Sequence, residues 1–151
     1  MRFTTKVFFA AVLLLSSLKG STQILKPVKW SYGAKKISAT EAVVFIKANI
    51  DGGWHLYSQT VAEGGPVKTT FTFSPSKEYT LNGKTQEPAP IVRNEPAFDM
   101  KVAFFEKQVI FQQKIKLNKQ QTTVKGNVEY MTCNDEKCLP PDTQEFSIPI
   151  K

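Results

Sequence analysis

One histidine, two cysteines and no apolar run long enough to cross a bilayer bound what this 151-residue chain can be. Chemistry built around several histidines is excluded outright. Structural zinc normally takes four Cys or His ligands, and the cysteines and the histidine together fall short of that. No paired carboxylates, glycine-rich phosphate loop or Ser/His/Asp constellation stands out, so neither a metal nor a cofactor is expected. A basic stripe is also missing. The formal charge is +7, from 20 Lys and Arg against 13 Asp and Glu, but the lysines are scattered and often alternate with apolar residues. A nucleic-acid binder gathers such charge into a patch, so nucleic acid is not an expected partner. With 11% aromatic and 41% hydrophobic residues the chain is not disordered either.

The N-terminus reads as an address. Arg2 and Lys6 give a positive start, Val7 to Leu15 form a nine-residue apolar run, and Ser16, Ser17, Gly20, Ser21 and Thr22 follow. This is the order of a secretory signal peptide over residues 1–22, with an uncleaved anchor as the other reading. The run falls short of the ~20 residues that span a membrane. No cysteine lies near the cleavage zone, which excludes a lipoprotein anchor. Removing the leader takes Arg2, Lys6 and Lys19 and no acid, which leaves +4 of the +7. Residues 23–151 are expected to be a single exported, soluble domain in a compartment that permits disulfides.

That domain reads as all-β. Along Val109–Leu117, Val109, Phe111, Ile115 and Leu117 share one face while Gln112, Lys114 and Lys116 share the other, the period of a half-buried strand. Thr122–Met131 repeats the pattern, as do Phe146, Ile148 and Ile150. Further strands are expected at Val28–Tyr32, Ala42–Ile50, Trp54–Ser58, Thr69–Phe73 and Glu78–Leu81, with a short edge near Val102–Phe105. Asp51-Gly52-Gly53, Gly64-Gly65-Pro66, Ser74-Pro75-Ser76 and Asn82-Gly83 punctuate them. About nine short strands and no helical stripe predict an immunoglobulin-like β-sandwich. A domain of this length buries about two-thirds of its unfolded surface and needs no staple to fold.

Both cysteines survive removal of the leader and lie close together, in Tyr130-Met131-Thr132-Cys133-Asn134-Asp135-Glu136-Lys137-Cys138-Leu139-Pro140-Pro141. Closing about six residues gives only about 2 kcal/mol in the chain-entropy model, against about 4.7 for a 100-residue loop. Two neighbouring cysteines in one turn also suit exchange chemistry, in which one thiolate forms a mixed disulfide and the other resolves it. Spacing alone leaves the structural and redox-active readings level. Pro140 and Pro141 stiffen the exit from the turn. Lys137 favours a Cys138 thiolate while Asp135 and Glu136 oppose it, so a strongly acidified thiol is not expected. His55, on a strand beside Trp54, reads as a surface or cross-strand polar residue. Phe98 follows Pro90 and Pro96 and reads as loop. Trp54 and Tyr57 read as core.

Tyr-x-x-Cys, a few polar residues and then Cys-x-Pro-Pro before a terminal strand resembles the N-terminal periplasmic domain of the thiol:disulfide interchange protein DsbD. Gly53-Trp54-His55-Leu56-Tyr57-Ser58 is similar to that family's early Gly-aromatic-x-Leu-Tyr strand, and Glu95-Pro96-Ala97-Phe98 falls where it carries an acidic-aromatic cap loop. The resemblance implies an immunoglobulin-like module that shuttles reducing equivalents in the bacterial periplasm. It implies that Cys138 attacks and forms the mixed disulfide and that Cys133 resolves it. Phe98 becomes the cap that shields the pair, with Tyr57 and Glu95 as site neighbours. Implied partners are thioredoxin-like domains or other periplasmic disulfide proteins. The membrane and C-terminal thioredoxin-like domains of full DsbD have no counterpart here, so electrons come from a separate protein, with a membrane electron transporter as the candidate. Four residues separate the cysteines where the best-known members have five, which tightens the turn. The reading from the fold alone, an exported binding or adhesion module with a structural disulfide, stays beside this one.

Overall fold

Alternating side chains shape the longest strands of the computed structural model, which describes residues 24–151. The chain runs β1 (Val28–Lys36), β2 (Glu41–Ile50), β3 (His55–Tyr57), β4 (Thr70–Phe73), β5 (Tyr79–Leu81), β6 (Ile91–Glu95), β7 (Met100–Phe105), β8 (Gln108–Leu117), β9 (Thr122–Tyr130), β10 (Thr132–Cys133) and β11 (Asp142–Ile150). No helix occurs among the described residues, so none crosses a membrane there. The expected leader at residues 1–22 lies outside them.

Pairing is antiparallel throughout and divides the immunoglobulin-like sandwich into three sheets, ordered β1-β2-β8-β5, β10-β3-β7-β6 and β11-β9-β4. Along β8 every second residue is buried, which places Val109, Phe111, Ile115 and Leu117 inside. They meet Val44, Ile46 and Ala48 of β2, Val124 and Val128 of β9, and Phe146, Ile148 and Ile150 of β11 in one apolar cluster. Burial of these side chains supplies the main driving force for the fold. Gln113 shares the buried face of β8, yet its amide is satisfied: Nε2 donates to the carbonyls of Gly83 and Lys114, and Oε1 accepts from the Thr85 hydroxyl.

The second sheet serves two cores. Leu56 and Phe105 join the main cluster, while their strand neighbours Tyr57 and Phe104 point to the opposite face and form a smaller cluster with Val102 and Cys133. The strand near Val102–Phe105, expected at an edge, lies inside its sheet between β3 and β6. Two strands beyond the expected nine account for the rest of the pattern. β6 follows Pro88 and Pro90, and four of its five residues are exposed, so it carries no alternation to read. β10 is two residues long and forms where the chain leaves the third sheet after Tyr130 and enters the second.

Gly126 marks a close approach between strands. It lies opposite Phe146 on one side and Phe73 on the other, and a Cβ there would collide with the Thr72 carbonyl oxygen and the Phe146 ring. The carbonyl belongs to the sheet backbone and cannot swing away. Gly126→Ala is therefore expected to destabilise the domain by about 1–3 kcal/mol, read as a lower urea midpoint. An unchanged midpoint would contradict this account of the packing.

Candidate functional site

The site begins with the register of a two-residue strand. β10 carries Cys133 into the second sheet, where His55 of β3 lies directly opposite it. On its other side Cys133 faces Cys138 in an antiparallel bridge. Asn134 N–H donates to the Lys137 carbonyl at 2.9 Å, and Leu139 N–H donates to the Thr132 carbonyl at 2.9 Å. These two bonds flank the cysteines, which therefore occupy a non-hydrogen-bonded pair, the position that brings opposing side chains closest. Their Cα atoms are 4.0 Å apart and the sulfurs are joined in a disulfide. The turn between them is held by Asn134, whose Oδ1 accepts from the N–H groups of Glu136 and Lys137 at 3.0 and 2.8 Å, as asparagine does in Asx turns.

The two sulfur-bearing residues do not share one environment. Cys133 has a strand partner on each side and is 1% exposed. Cys138, at the rim, is half-buried and borders an open groove of about 480 Å³ formed with Glu95, Pro96, Ala97 and the turn residues 134–137. Of the pair, only Cys138 borders this groove. Asp135, Glu136 and Lys137 are exposed around the mouth of the groove, so the mixed charges expected there are solvated.

The opposite wall is the hairpin that joins β6 and β7. Its four-residue loop, 96–99, turns where Asp99 adopts φ +50°, a left-handed conformation that aspartate tolerates better than most residues. Phe98 N–H donates to the Glu95 carbonyl at 3.0 Å. This presents the Phe98 ring to the small cluster, where it packs with Val61, Met100, Met131 and Cys138 around Tyr57 and Cys133. It meets Tyr57 edge-on, with centroids 6.3 Å apart. The residues expected at the site from the sequence, Cys133, Cys138, Phe98, Glu95 and Tyr57, are therefore brought together.

Tyr57 is fully buried and its hydroxyl has no hydrogen-bond partner. Burial, and secondarily the Glu95 carboxylate, push its pKa well above that of an ordinary phenol, so the ring stays neutral under any physiological condition. It acts as an apolar wall behind the sulfurs.

A histidine that the sequence does not place at the site lies next to the pair. His55 is not a surface residue: its side chain is 12% exposed and stacks on Phe104 with centroids 4.3 Å apart. Nε2 lies 3.2 Å from Glu106 Oε1 and Nδ1 lies 4.0 Å from Glu95 Oε2. Arg93 contacts the same Glu106 oxygen and sits over the Phe104 ring, with Cζ 4.8 Å from its centroid. The available signal was parity. Two residues before Tyr57 on an extended strand, His55 must face the same side. Among the described residues no cluster of His, Cys, Asp and Glu is arranged to hold a metal ion.

Comparison with known proteins bears on the fold and the family. The model of the family described as thiol:disulfide interchange protein DsbD, N-terminal, matches residues 21–149. No curated protein sequence matches. Among solved structures, the N-terminal periplasmic domain of ScsB from Proteus mirabilis is similar, with a TM-score of 0.59 at 16% identity. That match covers 83% of this chain and 47% of the other, so the chain spans about half of the ScsB domain. The DsbD N-terminal domain of Neisseria meningitidis in its reduced form matches with a TM-score of 0.54 at 15% identity, over 83% of this chain and 89% of that one. The same score and identity hold for the complex between the DsbD and PilB N-terminal domains of Neisseria meningitidis, over 83% and 87%. At such identities these structures establish the fold, and the family match adds lineage. The chain belongs to the family of N-terminal domains of the thiol:disulfide interchange protein DsbD.

Proposed function

We propose that the protein is a periplasmic thiol–disulfide exchange module that passes reducing equivalents between thioredoxin-like partners through Cys133 and Cys138. The observation that carries this reading is the asymmetry of the disulfide: Cys138 borders the groove while Cys133 is covered. A foreign thiolate that enters the groove once Phe98 is displaced attacks the Cys138 sulfur, and Cys133 becomes the leaving group. The donor's second thiolate then releases the mixed disulfide, leaving the pair reduced. Toward an acceptor the steps run in reverse order. Cys138 attacks the acceptor's disulfide and Cys133, 4.0 Å away Cα to Cα, resolves the product.

Phe98 covers this chemistry until a partner displaces it, and Glu95 and Tyr57 shape the floor and wall behind it. The Neisseria complex of DsbD and PilB N-terminal domains supports a folded protein domain as the partner. Export through the leader at residues 1–22 matches the periplasmic setting of the ScsB relative. A membrane electron transporter would then supply the electrons.

Equilibration against glutathione or dithiothreitol buffers is expected to give a reduction potential above about −300 mV, the region below which inert structural bridges lie. A lower value would place the pair among structural disulfides and refute the exchange role. Cys133→Ser is expected to accumulate mixed disulfides with thioredoxin-like proteins through Cys138. Capture through Cys133 in the Cys138→Ser variant, and not the converse, would reverse the assigned roles. Phe98→Ala is expected to speed alkylation of the reduced pair several-fold, whereas unchanged rates would remove its shielding role.

A further inference from the structure

The one histidine of the chain stands beside the disulfide, and the exchange steps above leave it unused. His55 lies directly opposite Cys133 in the β3–β10 register, and residues so paired hold their Cβ atoms within about 5.5 Å of one another. The groups facing its ring come from every neighbouring element. Glu95 approaches from β6, Phe104 from β7 and Glu106 from the turn after β7, while Cys133 of β10 is the register partner of His55. Arg93 of β6 reaches the ring only through Glu106. Tyr57 shares the face from the same strand. Nδ1 is buried and has no hydrogen-bond partner, a state that costs stability.

Exchange creates a matching need on the facing residue. Attack at Cys138 expels Cys133 as a thiolate, and Cys133 is 1% exposed. Burial penalises an unsolvated thiolate, so the step is eased by any group that neutralises it in place. We propose that His55 gives a proton to Cys133 when the disulfide opens and takes it back when the disulfide closes. This rests on the exchange function proposed above.

The steps balance. In the reducing direction a partner dithiol's first thiolate bonds to Cys138 Sγ, and the Cys133–Cys138 bond breaks with its electron pair on Cys133 Sγ. Protonated His55 transfers its proton to that sulfur, giving a thiol and a neutral imidazole. The partner's second thiolate then attacks the partner sulfur of the mixed disulfide, Cys138 leaves as a thiolate, and the partner departs oxidised. In the opposite direction neutral His55 accepts the proton as Cys133 attacks Cys138 of a mixed disulfide and expels the partner's thiolate. The ring recharges from solvent, to which 12% of its side chain is exposed.

The test is the pH profile of disulfide reduction by dithiothreitol in the full chain, between about pH 5.5 and 8.5, around the ordinary histidine range. Rates are expressed per dithiothreitol thiolate, so that the reagent's own titration is removed. The expected rate constant is highest at the acid end and falls as pH rises, because the proton donor is lost. His55→Gln keeps a polar side chain of similar reach. It is expected to be slower by about tenfold or more at the acid end and to show no such fall. A His55→Gln profile parallel to the original, even if uniformly slower, would show a merely structural role and overturn the inference. A flat profile in the unsubstituted chain would overturn it without any variant having to fold. Failure of dithiothreitol to reduce the chain at any pH would defeat the exchange function itself, and this inference with it, so the two failures are told apart.

Discussion

The site depends on a matter of backbone register: two cysteines occupy opposite positions in a narrow, non-hydrogen-bonded pair at the margin of a sheet. That placement decides which sulfur is available. Cys133, between β3 and the returning segment, has paired backbone on both sides and its face is packed against the small cluster, whereas Cys138 has one free flank. The proposed division between an attacked sulfur and a leaving sulfur rests on this difference in placement, before any electrostatic effect is considered.

The surroundings sharpen this division. Behind Cys133 lie Tyr57, Phe104 and Val102, an apolar layer that offers a thiolate no solvation. Beside it lie His55, Glu95 and Glu106, which together can hold or pass a proton. In front of Cys138 lie exposed Asp135, Glu136 and Lys137, whose charges are screened by water. Such a site has a wet mouth and a dry interior. An incoming protein domain that covers the mouth strengthens every interaction inside it, because water leaves as the surfaces meet.

Much of this was legible in the sequence, for reasons that differ residue by residue. β8 and β9 announced themselves because one face meets the core and the other meets water. The pairing of the cysteines was legible from the turn between them and the two prolines after it. The role of Phe98 rested on the resemblance of its loop to a known family, since a phenylalanine after two prolines says only that the chain is irregular there. β6 was invisible because four of its five residues are exposed and its identity as a strand comes from pairing with β7. β10 is too short to show any period. His55 shows the deepest limit. An alternating polar residue reads the same whether its face meets solvent or another hairpin, and its burial is caused by Glu95, Arg93 and Phe104, all distant in sequence.

The hydrogen bond from Phe98 N–H to the Glu95 carbonyl links the backbone of the proposed aromatic lid to that of an acidic residue within one tight loop. A docking domain that lifts the lid must also drag the carboxylate, since the loop is too short to bend independently at both ends. Uncovering the sulfurs and resetting the local field then become a single mechanical event.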